Sequence, residues 1–353
     1  MTRNIENIIV GGGLAGTWMA YHFLKASKSF VLIDSVGHSK SSMVAAGIFN
    51  PIVPSRQKIS YKADEIYPYL GKKYHEMEVF LHEKILHKLT ISYIIDSLKE
   101  LNDWAAVAEN HIFKDFVIMR NERLADAIIS DFGVLEIQDT GWVDIPLFLS
   151  SFRNKISEIN AYINQDFDYS LLKYDDMGFS YKDLRSTNII FCQGTAALNN
   201  PFTPEIELNP AKGEVLLIQS DEIVEGTIPQ NGVFLVPLAN QTFKVGSNFT
   251  WDNLDYEPTE EAKTEILNKL TKWFKAPFDV IEHVAGVRPS TADRRPILGN
   301  LNFHPNAYAL NGLGSKGVAL APYYSNILYK AIYDGGEIEK EVNIKRLKRN
   351  KIR

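Results

Sequence analysis

The sequence is poor in features that define several large classes of protein. It contains one cysteine, Cys192, so no disulfide can form within the chain and a reducing compartment is allowed. No apolar run approaches the roughly 18–20 residues that a membrane-spanning helix needs. The first apolar stretch, residues 8–10, is followed at once by glycines, which is unlike a signal peptide. These absences predict a cytoplasmic protein without a membrane span.

Motifs for metal binding, P-loop phosphate binding and serine hydrolysis are also missing. No His-Glu-x-x-His occurs, and His82 and His87 are five residues apart, so they do not share a helix face. The sequence has no Gly-x-x-x-x-Gly-Lys-[Ser/Thr], and Leu313 takes the first glycine position of a Gly-x-Ser-x-Gly at Ser315. No metal site is predicted.

Charge and composition limit the classes of binding partner and the number of domains that can be expected. The net charge of −5 gives no reason to expect nucleic acid as the main partner, and the basic residues of 345–353 read as a solvated terminus. With 353 residues, 45% of them hydrophobic, the chain suits two domains or one elaborated domain.

The chain is organised around a glycine turn near its start. The short, branched apolar run 8–10 predicts a buried strand, residues 14–26 predict a helix, and a second apolar strand, 30–33, ends in Asp34. Strand, turn, helix, strand and acid follow in the order of a dinucleotide-binding unit. The glycines of the turn, in G-x-G-x-x-G spacing, are Gly11, Gly13 and Gly16.

Each glycine has a physical role. Gly11 permits the tight turn, Gly13 lets the backbone approach a pyrophosphate, and Gly16 lets the helix pack close to the sheet. The N–H groups at the helix start, around Leu14 and Ala15, together with the helix dipole, favour the phosphate charge. The alternative is a glycine turn in some other α/β unit.

The acid at position 34 indicates which dinucleotide the unit can bind. Its carboxylate can accept hydrogen bonds from both ribose hydroxyls, and it would repel a 2′-phosphate, which argues against NADP. The fingerprint by itself does not separate FAD from NAD.

Two further patches give the sequence a family resemblance. Together with the fingerprint, Ser41-Ser42, Ala45-Ala46-Gly47 and the late stretch 285–322 resemble the D-amino-acid oxidase family of FAD proteins. That family includes glycine oxidase, sarcosine oxidase and the oxidoreductase half of a bifunctional tRNA-modifying enzyme. The late residues that fit its pattern are Gly286, Arg288, Pro289, Thr291, Asp293, Pro296 and Gly299.

The resemblance implies FAD and assigns further cofactor contacts. Noncovalent binding is expected, because the one cysteine, Cys192, lies in a predicted strand and none lies near the late motif or the last glycine turn. A glycine turn before the last helix, predicted over 318–333, would aim that helix at the flavin N1/C2 carbonyl edge, where negative charge collects on reduction. The residues implied before that turn are Ser42, Ala46, Gly47 and Gly194. Those implied within it are Gly312, Gly314, Ser315, Lys316 and Gly317.

Arg288 is the candidate substrate residue. A guanidinium offers two parallel donors to a carboxylate, and in the amino-acid oxidases of the family the arginine of this motif holds the substrate carboxylate. The alternative is a structural ion pair between Arg288 and a buried carboxylate.

The resemblance also implies an α/β fold: a glutathione-reductase-type, Rossmann-like FAD-binding domain and a substrate domain with an antiparallel sheet. The FAD-binding domain is expected from 1–60, 141–204 and 284–353, and the substrate domain from 61–140 and 205–283.

Local patterns predict the elements between these patches. Residues 61–101 read as helices punctuated by Pro68 and Gly71, 113–118 as a strand, and 124–129 as a helix or strand.

The leading interpretation is an FAD-dependent oxidoreductase of amines or amino acids, either oxidase or dehydrogenase. Two alternatives stay open: an FAD enzyme that acts on a modified tRNA base, and a dinucleotide-binding protein without turnover.

Overall fold

A computed structural model describes residues 2–35, 41–121, 123–222, 224 and 226–347. Most of the polar loop after Asp34 and the basic residues beyond 347 lie outside these ranges. The helices are α1 (Leu14–Lys25), α2 (Ser41–Val44), α3 (Ala63–Leu81), α4 (Leu98–Ala108), α5 (Ile145–Glu158), α6 (Glu260–Trp273) and α7 (Gly317–Tyr333).

The strands lie singly or in runs before and between these helices along the chain. They are β1 (Arg3–Val10), β2 (Phe30–Asp34), β3 (Ile48–Phe49), β4 (Ile52–Val53), β5 (Lys58–Ile59), β6 (Leu86–Lys88), β7 (Thr90–Ile94), β8 (Val117–Arg120), β9 (Val134–Ile137), β10 (Gly141–Val143), β11 (Tyr162–Asn164), β12 (Leu172–Asp175), β13 (Gly178–Tyr181), β14 (Leu184–Phe191), β15 (Ala211–Gln219), β16 (Thr227–Asn231), β17 (Val233–Pro237), β18 (Thr242–Gly246), β19 (Asp279–Arg288), β20 (Ile297–Asn300) and β21 (Ala307–Asn311).

The first sheet is built around the parallel strands β1 and β14. Its order is β11-β2-β1-β14, and β14 then pairs with β13 over its first half and with β21 over its second half. Because side chains alternate along a strand, Ile9 points to one buried face while Ile8 and Val10 point to the other. A strand buried on both faces explains why its sequence is a continuous apolar run.

Four helices share the core on one face of the first sheet. Trp18 of α1, Tyr74 of α3, Phe148 of α5 and Tyr324 of α7 are all fully buried in it. The ring of Trp18 lies 5.1 Å from that of Tyr74 and 5.7 Å from that of Phe148, centroid to centroid. This packing brings the starts of α1 and α7 to the same edge of the sheet.

The second sheet has the order β19-β15-β18-β17-β16-β7-β9-β8. Every neighbouring pair is antiparallel except β16 and β7, which run parallel. One face packs against α6, with Phe243 and Ile266 in one cluster. The opposite face packs against a small third sheet, β3-β10-β6, through Val236 and Trp142 of β10. The predicted fold class is confirmed, and the sheet is antiparallel apart from that one pair.

The prediction of helices over 61–101 is wrong for its second half. Helix α3 ends at Leu81, and strands β6 and β7 follow before α4 begins. Pro68 lies inside α3 rather than interrupting it. A proline there removes one backbone hydrogen bond, and the helix persists because its apolar face, including Leu70 and Met77, is buried.

Two shorter predictions also need correction. The strand expected over 113–118 is β8, which begins only at Val117, since turns occupy the residues before it. Residues 124–129 form neither a helix nor a strand, and Ile128 makes one isolated bridge to Phe274. The division into two domains stays a proposal. Helix α3, which that division assigns to the substrate domain, packs in the core of the first sheet.

Within the described ranges, no helix is both long and apolar enough to cross a bilayer.

Candidate cofactor and substrate site

The glycine turn after β1 is packed too closely for side chains at two positions. Gly11 has a φ of +101°, and a Cβ there would lie 2.5 Å from the carbonyl oxygen of Cys192. A Cβ on Gly16 would lie 1.8 Å from the carbonyl oxygen of Gly11. The turn therefore brings α1 onto the sheet as the spacing predicts. Cys192 is buried, and burial raises the pKa of its thiol.

Helices α1 and α7 begin next to each other, and neither start is capped by a side chain. The cap positions, Gly13 and Lys316, provide no side-chain acceptor, and neither first turn contains an acid. A Cβ on Gly317 would lie 3.2 Å from Cδ1 of Leu14. By contrast, α4, α5 and α6 are each capped by a side chain. Those caps are Ser97, Asp144 and Thr259.

Two helix starts without side-chain caps place the positive ends of two helix dipoles, and the backbone N–H groups of both first turns, at one edge. Ala15 is buried in the first turn of α1. Ser315 is exposed on the short turn Gly314–Lys316 that precedes α7. This arrangement suits a ligand that carries phosphate and accumulates negative charge.

Asp34 ends β2 beside the glycine turn, and the structure places an arginine against it. Nη2 of Arg153 lies 3.5 Å from Oδ2 of Asp34 and donates to the carbonyl oxygen of Gly12 at 3.2 Å. The hydroxyl of Tyr162 donates to the Asp34 carbonyl oxygen at 3.1 Å. Arg153 belongs to α5 and no local motif marks it, so the sequence prediction missed it.

Residues 41–47 lie between the start of α1 and the second sheet. A Cβ on Gly13 would lie 3.2 Å from Oγ of Ser42, and a Cβ on Gly47 would lie 2.0 Å from the carbonyl oxygen of Val143. Ala46 is buried. Nζ of Lys244, on β18, donates to the carbonyl oxygen of Ala45 at 3.3 Å, and burial lowers the pKa of this lysine. Lys244 thus contacts a segment that is predicted to bind the flavin, and the sequence prediction missed this contact.

The late patch folds back onto the end of β14. The amide of Asn311 donates to the carbonyl oxygen of Gly194 at 2.9 Å, and a Cβ on Gly194 would lie 3.8 Å from Cγ of Pro289. The N–H of Gly314 donates to the carbonyl oxygen of Pro289 at 3.1 Å. A Cβ on Gly312 would lie 2.7 Å from Cγ2 of Thr291. The structure thus brings together three segments that are far apart in sequence.

Lys316 is the last residue of the turn Gly314–Lys316. Its Nζ donates to the hydroxyl of Ser60. Burial, with a smaller contribution from the nearby charge of Arg294, lowers the pKa of Lys316 to about 8.

Arg288 is the last residue of β19, and its guanidinium lies across Gly213, where a Cβ would come within 1.9 Å of Nη2. The guanidinium donates to the carbonyl oxygen of Lys212 at 3.1 Å, to Oγ of Ser247 at 2.8 Å and to the carbonyl oxygen of Asn248 at 3.3 Å. Burial lowers the pKa of Arg288 to about 10. No carboxylate of the described chain pairs with it, so the structural ion pair considered from the sequence is not what this arginine forms.

Comparison with known proteins identifies the family. The family model for FAD-dependent oxidoreductases matches residues 7–330, and the chain belongs to that family. Glycine oxidase of Bacillus subtilis (strain 168) is 21% identical over 97% of this chain and 95% of its own length. The tRNA 5-methylaminomethyl-2-thiouridine biosynthesis bifunctional protein of Legionella pneumophila (strain Corby) is 22% identical over 96% of this chain, which spans 54% of that protein.

A solved structure shows the same fold. The crystal structure of glycine oxidase from Geobacillus kaustophilus superposes with a TM-score of 0.78 at 16% sequence identity, over 96% of each chain. The family and the FAD cofactor expected from the sequence are confirmed. The roles of individual residues stay predictions.

The described residues fit FAD on their own geometry. The glycine turn has no Cβ where a pyrophosphate would pass, and two uncapped helix starts meet beside it. Gly11, Gly13 and Gly16 with the start of α1 would hold the pyrophosphate, Asp34 the ribose, and the turn before α7 the flavin.

Proposed function

We propose that this FAD-dependent oxidoreductase oxidises the C–N bond of an amine or amino acid by hydride transfer to flavin N5, with Arg288 holding the substrate carboxylate. The FAD would be bound noncovalently, because Cys192 is buried in the core and no other cysteine exists. Bound FAD supplies the hydride acceptor.

The observation that carries the proposal is the environment of Arg288. Three of its five N–H groups donate to neutral oxygens of Lys212, Ser247 and Asn248, and two find no acceptor in the described protein. A partly buried guanidinium without a counter-ion favours an incoming anion. Its lowered pKa of about 10 still leaves it charged at neutral pH.

The position of Arg288 also supports the proposal. The carbonyl oxygen of the next residue, Pro289, accepts a hydrogen bond from the N–H of Gly314 in the turn before α7. A carboxylate bound to Arg288 would therefore lie beside the predicted flavin end of the site. Fixing the carboxylate fixes the orientation of the carbon that bears the amine. No acid–base pair is assigned, because an amine that binds in its neutral form needs none.

The match with the tRNA-biosynthesis protein supports a second candidate, an amine attached to a tRNA base.

The test is anaerobic addition of glycine, sarcosine, proline and D-amino acids to the FAD-loaded protein. We expect the flavin absorbance to bleach with at least one of them, and readmission of air to distinguish an oxidase from a dehydrogenase. Arg288→Lys should weaken the response, while the control Arg185→Lys, on the exposed side of the first sheet, should not. The proposal would be overturned if none of these compounds bleached the flavin absorbance.

A further inference from the structure

The segment between β18 and α6 exposes two aromatic rings. Phe249 is 52% exposed and Trp251 is 57% exposed, although both are large apolar side chains. Their ring centroids are 6.3 Å apart and their planes differ by 23°, so the two rings are neighbours in a roughly parallel, stacked arrangement. We name Phe249 and Trp251 the aromatic pair. Contiguous exposed apolar surface marks ligand grooves and interfaces, whereas apolar side chains scattered singly do not.

The aromatic pair adjoins the proposed carboxylate site. The central carbon of the Arg288 guanidinium lies 4.1 Å from the ring centroid of Phe249, a distance typical of a cation–π contact. The ring therefore covers one face of the guanidinium and leaves its edge for a carboxylate. The group attached to that carboxylate must then pass beside the Phe249 ring.

The segment that carries the aromatic pair is held firmly against the second sheet. Thr250, between the two rings, exchanges backbone hydrogen bonds with Lys212 at 2.9 and 3.1 Å. Nζ of the fully buried Lys212 lies 2.6 Å from Oδ1 of Asp255, further along the segment. Since the Lys212 carbonyl oxygen also accepts from Arg288, one residue sets the position of the rings relative to the guanidinium.

We infer that the aromatic pair binds the apolar side chain of a carboxylate substrate held by Arg288. The inference rests on the proposed function and deepens it: the substrate class is amino acids or N-substituted amino acids with an aliphatic or aromatic side chain. An anionic side chain would lose hydration against the negative faces of the two rings, whereas an apolar one gains from leaving water.

The experiment is calorimetric titration of the FAD-loaded protein with straight-chain carboxylates from acetate to hexanoate. Each added CH₂ should tighten binding about two- to fourfold, because it leaves water for the ring surface. In Trp251→Ala this gain in affinity per CH₂ should fall below about twofold, because one of the two rings is lost and Phe249 remains. Acetate, which has no chain to lay on the ring, should change by less than about twofold. Phe249→Leu is the second variant, and it should weaken the gain while keeping an apolar cover over Arg288.

Two controls separate the inference from the proposed function. Met177→Ala removes another exposed apolar side chain, in the turn between β12 and β13 of the first sheet. This variant should retain the full increase in carboxylate affinity per CH₂. Arg288→Met should abolish binding of every carboxylate. If carboxylates bind as tightly without Arg288, the proposed role of Arg288 fails.

Other outcomes overturn the inference alone. The inference fails if carboxylates bind through Arg288 with an affinity that does not depend on chain length. It also fails if Trp251→Ala retains the full increase in affinity per CH₂. A protein that is dimeric by light scattering and becomes monomeric in Trp251→Ala would show that a second copy covers the aromatic pair instead.

Discussion

Arg153 and Asp34 form a largely buried ion pair between α5 and the end of β2. Nη2 of Arg153 lies 3.5 Å from Oδ2 of Asp34, and the exposed fractions of the two side chains are 11% and 6%. The same nitrogen donates to the carbonyl oxygen of Gly12. The arginine thus links the acid expected to bind ribose with the glycine turn expected to bind the pyrophosphate, and it compensates the charge of that acid.

Replacing Arg153 by methionine should weaken FAD binding about tenfold, since the substitution leaves the Asp34 carboxylate less compensated and removes a contact that positions the glycine turn. Quenching of flavin fluorescence on titration into FAD-free protein measures the effect. Lys155→Met is the matched control, because Lys155 lies on the same helix but points to a surface glutamate. Equal FAD affinities for Arg153→Met and wild type would show that the pair plays no part in cofactor binding.

Gly13→Ala should separate folding from cofactor binding. In the protein itself the added methyl would meet only the Ser42 hydroxyl, at 3.2 Å, so the unfolding free energy should change by no more than about 1 kcal/mol. FAD affinity should fall at least about tenfold, because the methyl would stand where the pyrophosphate approaches the backbone.

Gly71→Ala is the control for that substitution. Its Cβ would meet no atom within 4 Å, inside α3, so the variant should gain up to about 1 kcal/mol of stability and keep its FAD affinity. A Gly13→Ala protein that binds FAD normally would place the pyrophosphate elsewhere.

His22 should make the fold sensitive to acid. Its Nε2 lies 3.1 Å from Oγ of Ser325, joining α1 to α7, and burial lowers the pKa of His22 from 6.5 to about 4. Between these two values the unfolded chain binds a proton that the folded chain does not. The unfolding free energy should therefore fall as the pH drops from 6.5 to 4, by roughly 3 kcal/mol from this residue.

Urea unfolding of wild type and His22→Gln over that pH range isolates the contribution of His22. The unfolding free energy of wild type minus that of the variant should be constant above pH 7 and decrease below 6.5. A difference that stays constant down to pH 4 would contradict the assignment.

The parts of the site that the sequence predicts are local. Gly11 follows β1, Gly16 lies in the first turn of α1 and Asp34 ends β2, so the spacing within one strand–helix–strand unit predicts their placement. Residues 86–94 were expected to be helical because their charged and apolar residues have helical spacing, yet they form β6 and β7, where partners distant in sequence decide.

Contacts between distant segments could not be predicted. Arg153 reaches Asp34 across more than a hundred residues, and Phe249 meets Arg288 only because β15 and β19 pair. Neither Arg153 nor Phe249 stands in a motif. The fold itself is needed to find them.

The most direct test of the account compares the rate of anaerobic flavin reduction by an amino acid with the rate by the amine that lacks its carboxylate. Wild type should favour the amino acid by about 100-fold or more, because charge-assisted hydrogen bonds to Arg288 are lost with the carboxylate. In Arg288→Met the two rates should approach each other. A wild-type preference that persists unchanged in Arg288→Met, or a flavin that neither compound reduces, would contradict the account.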